Sequence, residues 1–262
     1  MRPYCTLLLL IAVVFLGGAL LAPWLYWLAQ WLAPASALAR KPFHRYVDRA
    51  LLGLGLIAIW PLLWLVEAES WRDAGLCSPS GQWGRLAGGW MLGLGSVAAL
   101  AAVAVATGTR RFSWERDAGK LAARSSRLLG AAFVIAVLEE ILFRGAIFGA
   151  LRQAGSWPAA LLFSSLFYAC MHFLSRPDPP RPVKWCSGLE SLPGMLKNFK
   201  DLRAVPRFLN LTLAGIILGL AYQRTGNLYF SIGLHAAWVF CLKLYDIVTV
   251  PQTRLDQGVP AK

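Results

Sequence analysis

Acidic residues are scarce: 13 Asp and Glu stand against 26 Lys and Arg in 262 residues, and only 15% of the chain is charged. Polar stretches are short as well, none longer than about 35 residues, too little for an independent soluble core without staples. A separate soluble domain is therefore excluded. Histidine is rarer still, with three in the chain, so chemistry that needs imidazole has few places to sit. The five cysteines (Cys5, Cys77, Cys170, Cys186, Cys241) include no CxxC pair and scatter over apolar and polar stretches alike, which implies no disulfide framework. Neither HExxH nor a comparable zinc spacing occurs.

Apolar residues are abundant. Hydrophobic residues make up 57% of the chain and mean hydropathy is +0.53, and runs of the length that crosses a bilayer, about 17 to 25 residues, recur along it. Spans are read near Leu7 to Ala33, Val47 to Val66, Leu86 to Ala106, Leu128 to Leu151, Trp157 to Leu174, Phe208 to Ala221 and Leu228 to Val250. Small residues punctuate them (Gly53, Gly55, Gly88, Gly89, Gly93, Gly95), as in helices that pack closely in lipid. The expected fold is all-α, a polytopic transmembrane helix bundle of about seven, or eight, spans. Residues 1–127 would carry about three N-terminal spans, 128–250 a core bearing the chemical motifs, and 251–262 a tail, all in one membrane domain.

The excess of basic residues is distributed unevenly. Loops one, three and five hold four, six and seven Lys and Arg, whereas loops two, four and six hold two, one and one. That asymmetry is the positive-inside pattern, and it predicts a cytoplasmic C-terminus and an external N-terminus. It assigns the net charge of +13 to topology, with membrane lipid as partner and no nucleic acid. Ala35-Ser36-Ala37 looks like a signal-peptidase site, but the apolar run before it far exceeds the roughly 7 to 15 residues of a secretory core, so an uncleaved first span is expected. The proline-rich stretch Ser175 to Arg207 forbids one long helix. Its Gly188 to Phe199 portion reads equally as a short amphipathic or re-entrant piece or as a plain basic linker. Its Lys197, Lys200 and Arg203 would suit an acidic or carboxylate-bearing tail.

Ionisable side chains inside a span cost about 2.5 to 3.5 kcal/mol each, so they persist where paired or useful. The fourth span carries Val137-Leu138-Glu139-Glu140-Ile141-Leu142-Phe143-Arg144. On an α-helix Glu140 and Arg144 are one turn apart and would pair, leaving Glu139, rotated by about 100 degrees, as a spare carboxylate suited to activating water. The fifth span ends Tyr168-Ala169-Cys170-Met171-His172, and the seventh places His235 within an apolar run. His44 lies in a basic loop and reads as surface.

Together these segments resemble the CPBP family, the type II CAAX prenyl endopeptidases and bacteriocin-processing (Abi) intramembrane proteases. That family shows EExxxR, then an aromatic four residues before a His, then a His followed four residues on by Asn or Asp. Glu139, Glu140 and Arg144 match the first motif, Tyr168 and His172 the second, and His235 the start of the third; Tyr222 to Leu228 resembles the lead-in to that last helix. The resemblance implies an intramembrane endopeptidase of a bacterial plasma membrane acting on a membrane-associated or exported protein or peptide. It implies Glu139 as the base, His172 as a holder of the water, His235 as an oxyanion donor, and Glu140 and Arg144 as a supporting pair, with no cofactor required; a divalent metal stays open. Position 239 is Val rather than Asn or Asp, which removes a donor from its usual place. Trp238, through its indole N–H, and Asp246, as an orienter of His235, are the expected substitutes. Two other readings stay open: an impaired member serving as membrane scaffold or immunity protein, and a proton-coupled transporter.

Overall fold

A computed structural model of the chain describes residues 2–65, 70–113, 117–177 and 182–252. The expected tail is outside the described residues from 253 onward. Most of the described chain is helical, as the apolar runs predict, and it falls into two compact units.

The first unit comprises Met1–Ser70 and Leu142–Gly219. Helix α1 (Arg2–Leu32) packs along α2 (His44–Ile57), where Gly18 lets the backbone of Leu51 approach; a Cβ at Gly18 would lie 2.7 Å from the Leu51 side chain. A short α3 (Ile59–Leu65) follows a break at Ala58. Pro61 causes the break, because it has no N–H for the Ile57 carbonyl four residues back and its ring crowds that carbonyl. Phe43, Tyr46, Val47 and Leu51 form a core with Ala22, Ala29 and Met195. A widened π segment (Ile141–Phe148), nearly all of it in this unit, runs into α6 (Gly149–Ala154), then α7 (Trp157–Phe173), α8 (Ser187–Met195) and α9 (Val205–Thr225), whose last residues belong to the second unit. Helix α8 is a packed helix rather than a loose linker: Gly188 sits directly on the Ala19 carbonyl of α1, leaving no room for a Cβ.

The second unit comprises Trp71–Ile141 and Leu220–Lys262. Its long elements are α4 (Trp83–Ala106), α5 (Ala118–Glu140) and α10 (Tyr229–Val248). Asp117 starts α5 by accepting from the Lys120 backbone N–H at 3.0 Å, and that bond with the Lys120 ammonium holds the Asp117 carboxyl below its ordinary range. Helices α4 and α10 touch through small residues on both sides. A Cβ at Gly93 would lie 2.5 Å from the Ala237 Cβ, Gly89 abuts the Phe230 carbonyl, and Gly233 abuts the Leu86 carbonyl. Such close approach is how helices associate where no hydrophobic effect drives them together. Gly53, Gly55 and Gly95, read from the sequence as packing residues, have nothing within 4 Å of where a Cβ would stand. Trp90 stacks on Phe133 of α5 at 5.1 Å and reaches Phe240 of α10 at 5.8 Å, wedging the three helices.

Two elements depart from the expectation. The residues expected to end the seventh span form a strand, β2 (Thr249–Pro251), antiparallel to β1 (Arg110–Phe112) with Arg111 opposite Val250. The helix of the expected sixth span also outruns its bounds, since Pro206 and Arg207 at its start and Gln223 and Arg224 at its end mask it in the sequence.

Among the described residues, five helices are long and apolar enough to cross a membrane: Cys5–Leu32, His44–Trp64, Trp83–Ala106, Leu202–Thr225 and Tyr229–Val248. Helix α7, with 17 residues, is shorter, and α5 carries its own charges. Large apolar side chains such as Leu9, Trp31, Trp64, Leu100 and Leu213 are exposed on these helices. A water-soluble chain rarely tolerates so much exposed apolar surface; the protein is an integral membrane protein.

Candidate active site

On α5, Ala132, Ala136 and Glu140 recur every four residues and form its buried face. Two alanines keep the approach close, and the third position places a carboxylate where the α5 face meets α10. There Glu140, with no exposed surface, lies 2.9 Å from Nδ1 of His235, itself buried. Glu139, one residue earlier and 24% exposed at its side chain, has Oε2 3.7 Å from His235 Nε2. The imidazole thus has a carboxylate at each ring nitrogen. One is buried and within hydrogen-bond distance; the other is looser and closer to solvent. The sequence did not reveal that Glu140 and His235 are partners, since 95 residues separate them.

His235 is held in place from both ends of α10. At the start, Gly226 takes a positive φ of 68°, Asn227 Oδ1 accepts from the Tyr229 N–H, and Tyr229 donates its hydroxyl to the Cys77 carbonyl at 2.8 Å. Leu228 N–H donates to the Gly75 carbonyl, and Gly75, with φ of 85°, has no room for a Cβ against the Tyr222 ring. This explains the 222–228 lead-in: it bolts the first turn of α10 to the loop before α4. Farther along, Trp238 Nε1 donates to Ser96 Oγ at 2.9 Å. That bond corrects one expectation, because the indole N–H is already engaged within the α4–α10 contact. Asp246 corrects another. It pairs with Arg110 at 2.9 Å and is 70% exposed, while Arg110 also donates to Thr249 and lies over the Tyr245 ring. Asp246 therefore ties α10 to the ribbon, and the group on His235 Nδ1 is Glu140.

Arg144, Tyr168 and His172 belong to the first unit. The helix is π from Ile141, so the α-helical register behind the sequence pairing of Glu140 with Arg144 does not continue through this segment; π turns recur at functional sites. Within its unit Arg144 is buried, donates to the Gly215 carbonyl at 3.2 Å, and lies 4.6 Å from the Tyr168 ring centroid. Gly215 can offer that carbonyl because α9 passes very close to α7 there; a Cβ on it would be 2.9 Å from Ser165 Cα. Tyr168 also faces Phe143 edge-on at 5.0 Å and His172 at 4.2 Å. His172 Nδ1 is 3.0 Å from the Tyr168 carbonyl. A carbonyl only accepts, so Nδ1 is the donor in this contact. Val239 remains an apolar residue on α10, and among the described residues no group of three or more His, Cys, Asp or Glu side chains is disposed to hold a metal.

A membrane-embedded helical protein with a carboxylate–imidazole–carboxylate cluster on two of its helices has the equipment of an intramembrane hydrolase. The family model described as type II CAAX prenyl endopeptidase Rce1-like matches residues 123–241. This is the family the three motifs resemble, and the motif-bearing segment is similar to it; the activity that family implies is CAAX-type intramembrane proteolysis. Every candidate residue but Asp246 falls within the match. No curated protein and no solved structure matches the chain.

Proposed function

We propose that the protein is an intramembrane endopeptidase in which Glu139 activates a water against a peptide bond of a membrane-associated or exported substrate. The observation that supports this most is the graded environment of the two adjacent carboxylates: Glu140 is sealed against His235 Nδ1, whereas the Glu139 side chain is partly exposed and its Oε2 stands 3.7 Å from Nε2. In the ion-pair form, Glu140 holds His235 as a cation whose Nε2–H is a fixed donor. The Glu139 carboxylate takes a proton from water as its oxygen attacks the carbonyl carbon. Negative charge on the carbonyl oxygen is met by His235 Nε2–H. Collapse breaks the C–N bond, and Glu139 returns its proton to the leaving amine. His172 enters only through the family motif, as the residue that resemblance assigns to holding the water. Arg144 and Tyr168 position His172 through ring contacts. The basic loops are proposed to face the cytoplasm.

The test is Glu139→Gln in the full-length chain, read by comparative proteomics of membrane fractions. Substrate processing should disappear while the variant accumulates as wild type does. Unchanged processing would overturn the glutamate mechanism.

A further inference from the structure

Between α8 and α9 the chain reads Leu196-Lys197-Asn198-Phe199-Lys200-Asp201-Leu202-Arg203-Ala204-Val205. Apolar residues recur every three positions (196, 199, 202, 205), and so do basic ones (197, 200, 203). A period of three fits neither an α-helix nor a strand; it fits a 3₁₀-helix, in which residues i and i+3 stack. The structure has that conformation here, with 3₁₀ turns at Lys197–Lys200 and Leu202–Ala204, the second capped by Asp201 accepting from the Arg203 N–H. Extended Asp201 separates the two turns of this strip, and each turn carries its own apolar and basic side chains. Leu196, Phe199, Leu202 and Val205 are all exposed, Leu202 at 84%, and Lys197, Lys200 and Arg203 are exposed beside them. Asp201 is the only acidic residue from 191 to 207.

The strip leads directly into the apolar helix Leu202–Thr225 that is long enough to cross a membrane, which sets its depth at the end of a span. It is also fastened to the helix that carries His172. Asn198 donates to the Phe173 carbonyl at 2.8 Å, Ser175 N–H donates to the Met195 carbonyl at 2.8 Å, and Phe199 meets Phe173 edge-on at 4.9 Å. The inner edge of the strip is therefore fixed while its outer edge shows alternate grease and charge.

We propose that residues 196–205 form an interfacial docking strip for anionic lipid: the apolar side chains enter the acyl boundary and Lys197, Lys200 and Arg203 bind headgroup phosphates. Each basic side chain near an anionic surface strengthens association about fivefold, and three together about a hundredfold. Because the strip is bonded to the residue after His172, lipid charge sets the depth of that histidine. The inference holds whether or not the protein is a protease, and its test involves no proteolysis.

The experiment is hydrogen–deuterium exchange of the full-length protein in nanodiscs of phosphatidylcholine alone or with one-third phosphatidylglycerol. Amides 196–205 should exchange about tenfold more slowly in the anionic discs. The slowing should vanish in the Lys197→Gln/Lys200→Gln/Arg203→Gln variant, with α4 and α10 amides unchanged. If that variant fails to accumulate, wild type at about 0.5 M salt gives the same reading, since screening removes the attraction. Equal exchange in both discs, or slowing that neutralisation and salt leave intact, overturns the proposal. So does slowing produced by a soluble acidic peptide in phosphatidylcholine discs but not by phosphatidylglycerol, which would assign the strip to a polypeptide tail.

Discussion

Replacing Gly93 by Ala tests whether the α4–α10 contact places His235. The new Cβ would stand 2.5 Å from the Ala237 Cβ and 2.9 Å from the Leu234 carbonyl oxygen, whereas carbon atoms rest at about 3.5 to 4.0 Å. Backbone and Cβ atoms cannot rotate away, so the helices must part by about 1 Å. Overpacking of this kind costs about 1 to 3 kcal/mol. Gly95→Ala, two residues away with nothing within 4 Å, adds no clash and gains up to about 1 kcal/mol of helix propensity. Gly93→Ala gains the same propensity, so the two variants should differ by the overpacking cost alone, about 1 to 3 kcal/mol, or roughly 2 to 12 °C in unfolding temperature for a chain of this size. The same displacement moves His235 relative to Glu139 on α5, and a 1 Å misplacement can reduce turnover about a hundredfold. Thermal unfolding of the purified variants, together with substrate cleavage, measures both effects. Adding Ala237→Gly to Gly93→Ala removes the nearest obstructing atom and should restore part of the loss, a non-additivity that Gly95→Ala with Ala237→Gly should lack. Equal unfolding temperatures for the two single variants would refute the reasoning.

Three further outcomes follow from the site and its surroundings. Glu140→Gln keeps an acceptor for His235 Nδ1–H but removes the charge, so kcat should fall about a hundredfold or more with KM little changed, by analogy with other buried carboxylates that orient a histidine; an unaltered kcat would show that Glu140 does not act through His235. Asp246→Asn should leave kcat at the wild-type value and change stability by no more than about 1 kcal/mol, because the lost contact is an exposed ion pair with Arg110; a large loss of turnover would return Asp246 to the site. The hydrogen bond from the Cys186 thiol to Glu190 raises the thiol's pKa, which lowers its thiolate fraction near pH 8. Glu190→Gln should bring that pKa down and speed Cys186 alkylation by a maleimide, measured by peptide mass spectrometry across pH 7 to 9; an unchanged rate would contradict the contact.

Much of the fold was legible because hydropathy reports on solvent. The long apolar runs became helical, although the run from Val47 breaks before Pro61, the one from Leu128 passes through a π segment, and the last ends in a strand. The motif residues were legible for the same reason: a charge or imidazole inside an apolar run is conspicuous whatever the fold. Legibility failed where identity depends on a distant partner. Six glycines looked alike, yet only those opposed by a backbone or Cβ from α10, Gly89 and Gly93, carry the close helix contact. Trp238 and Asp246 had the right chemical groups at plausible helical positions, but Ser96 and Arg110, each more than 130 residues away, had already engaged them.

From its sequence alone, then, the protein was determined to be a helical membrane protein bearing a glutamate–histidine chemistry, because burial of charge in lipid is costly wherever it occurs in the chain. Where each carboxylate sits was decided by tertiary structure. Glu139 and Glu140 are chemically identical neighbours, and only the approach of α10 to one face of α5 seals Glu140 on His235 Nδ1 and leaves Glu139, partly exposed, at the longer distance from Nε2. The 100-degree turn between adjacent helical residues separates them, but the helix that lies across that turn gives the separation its meaning.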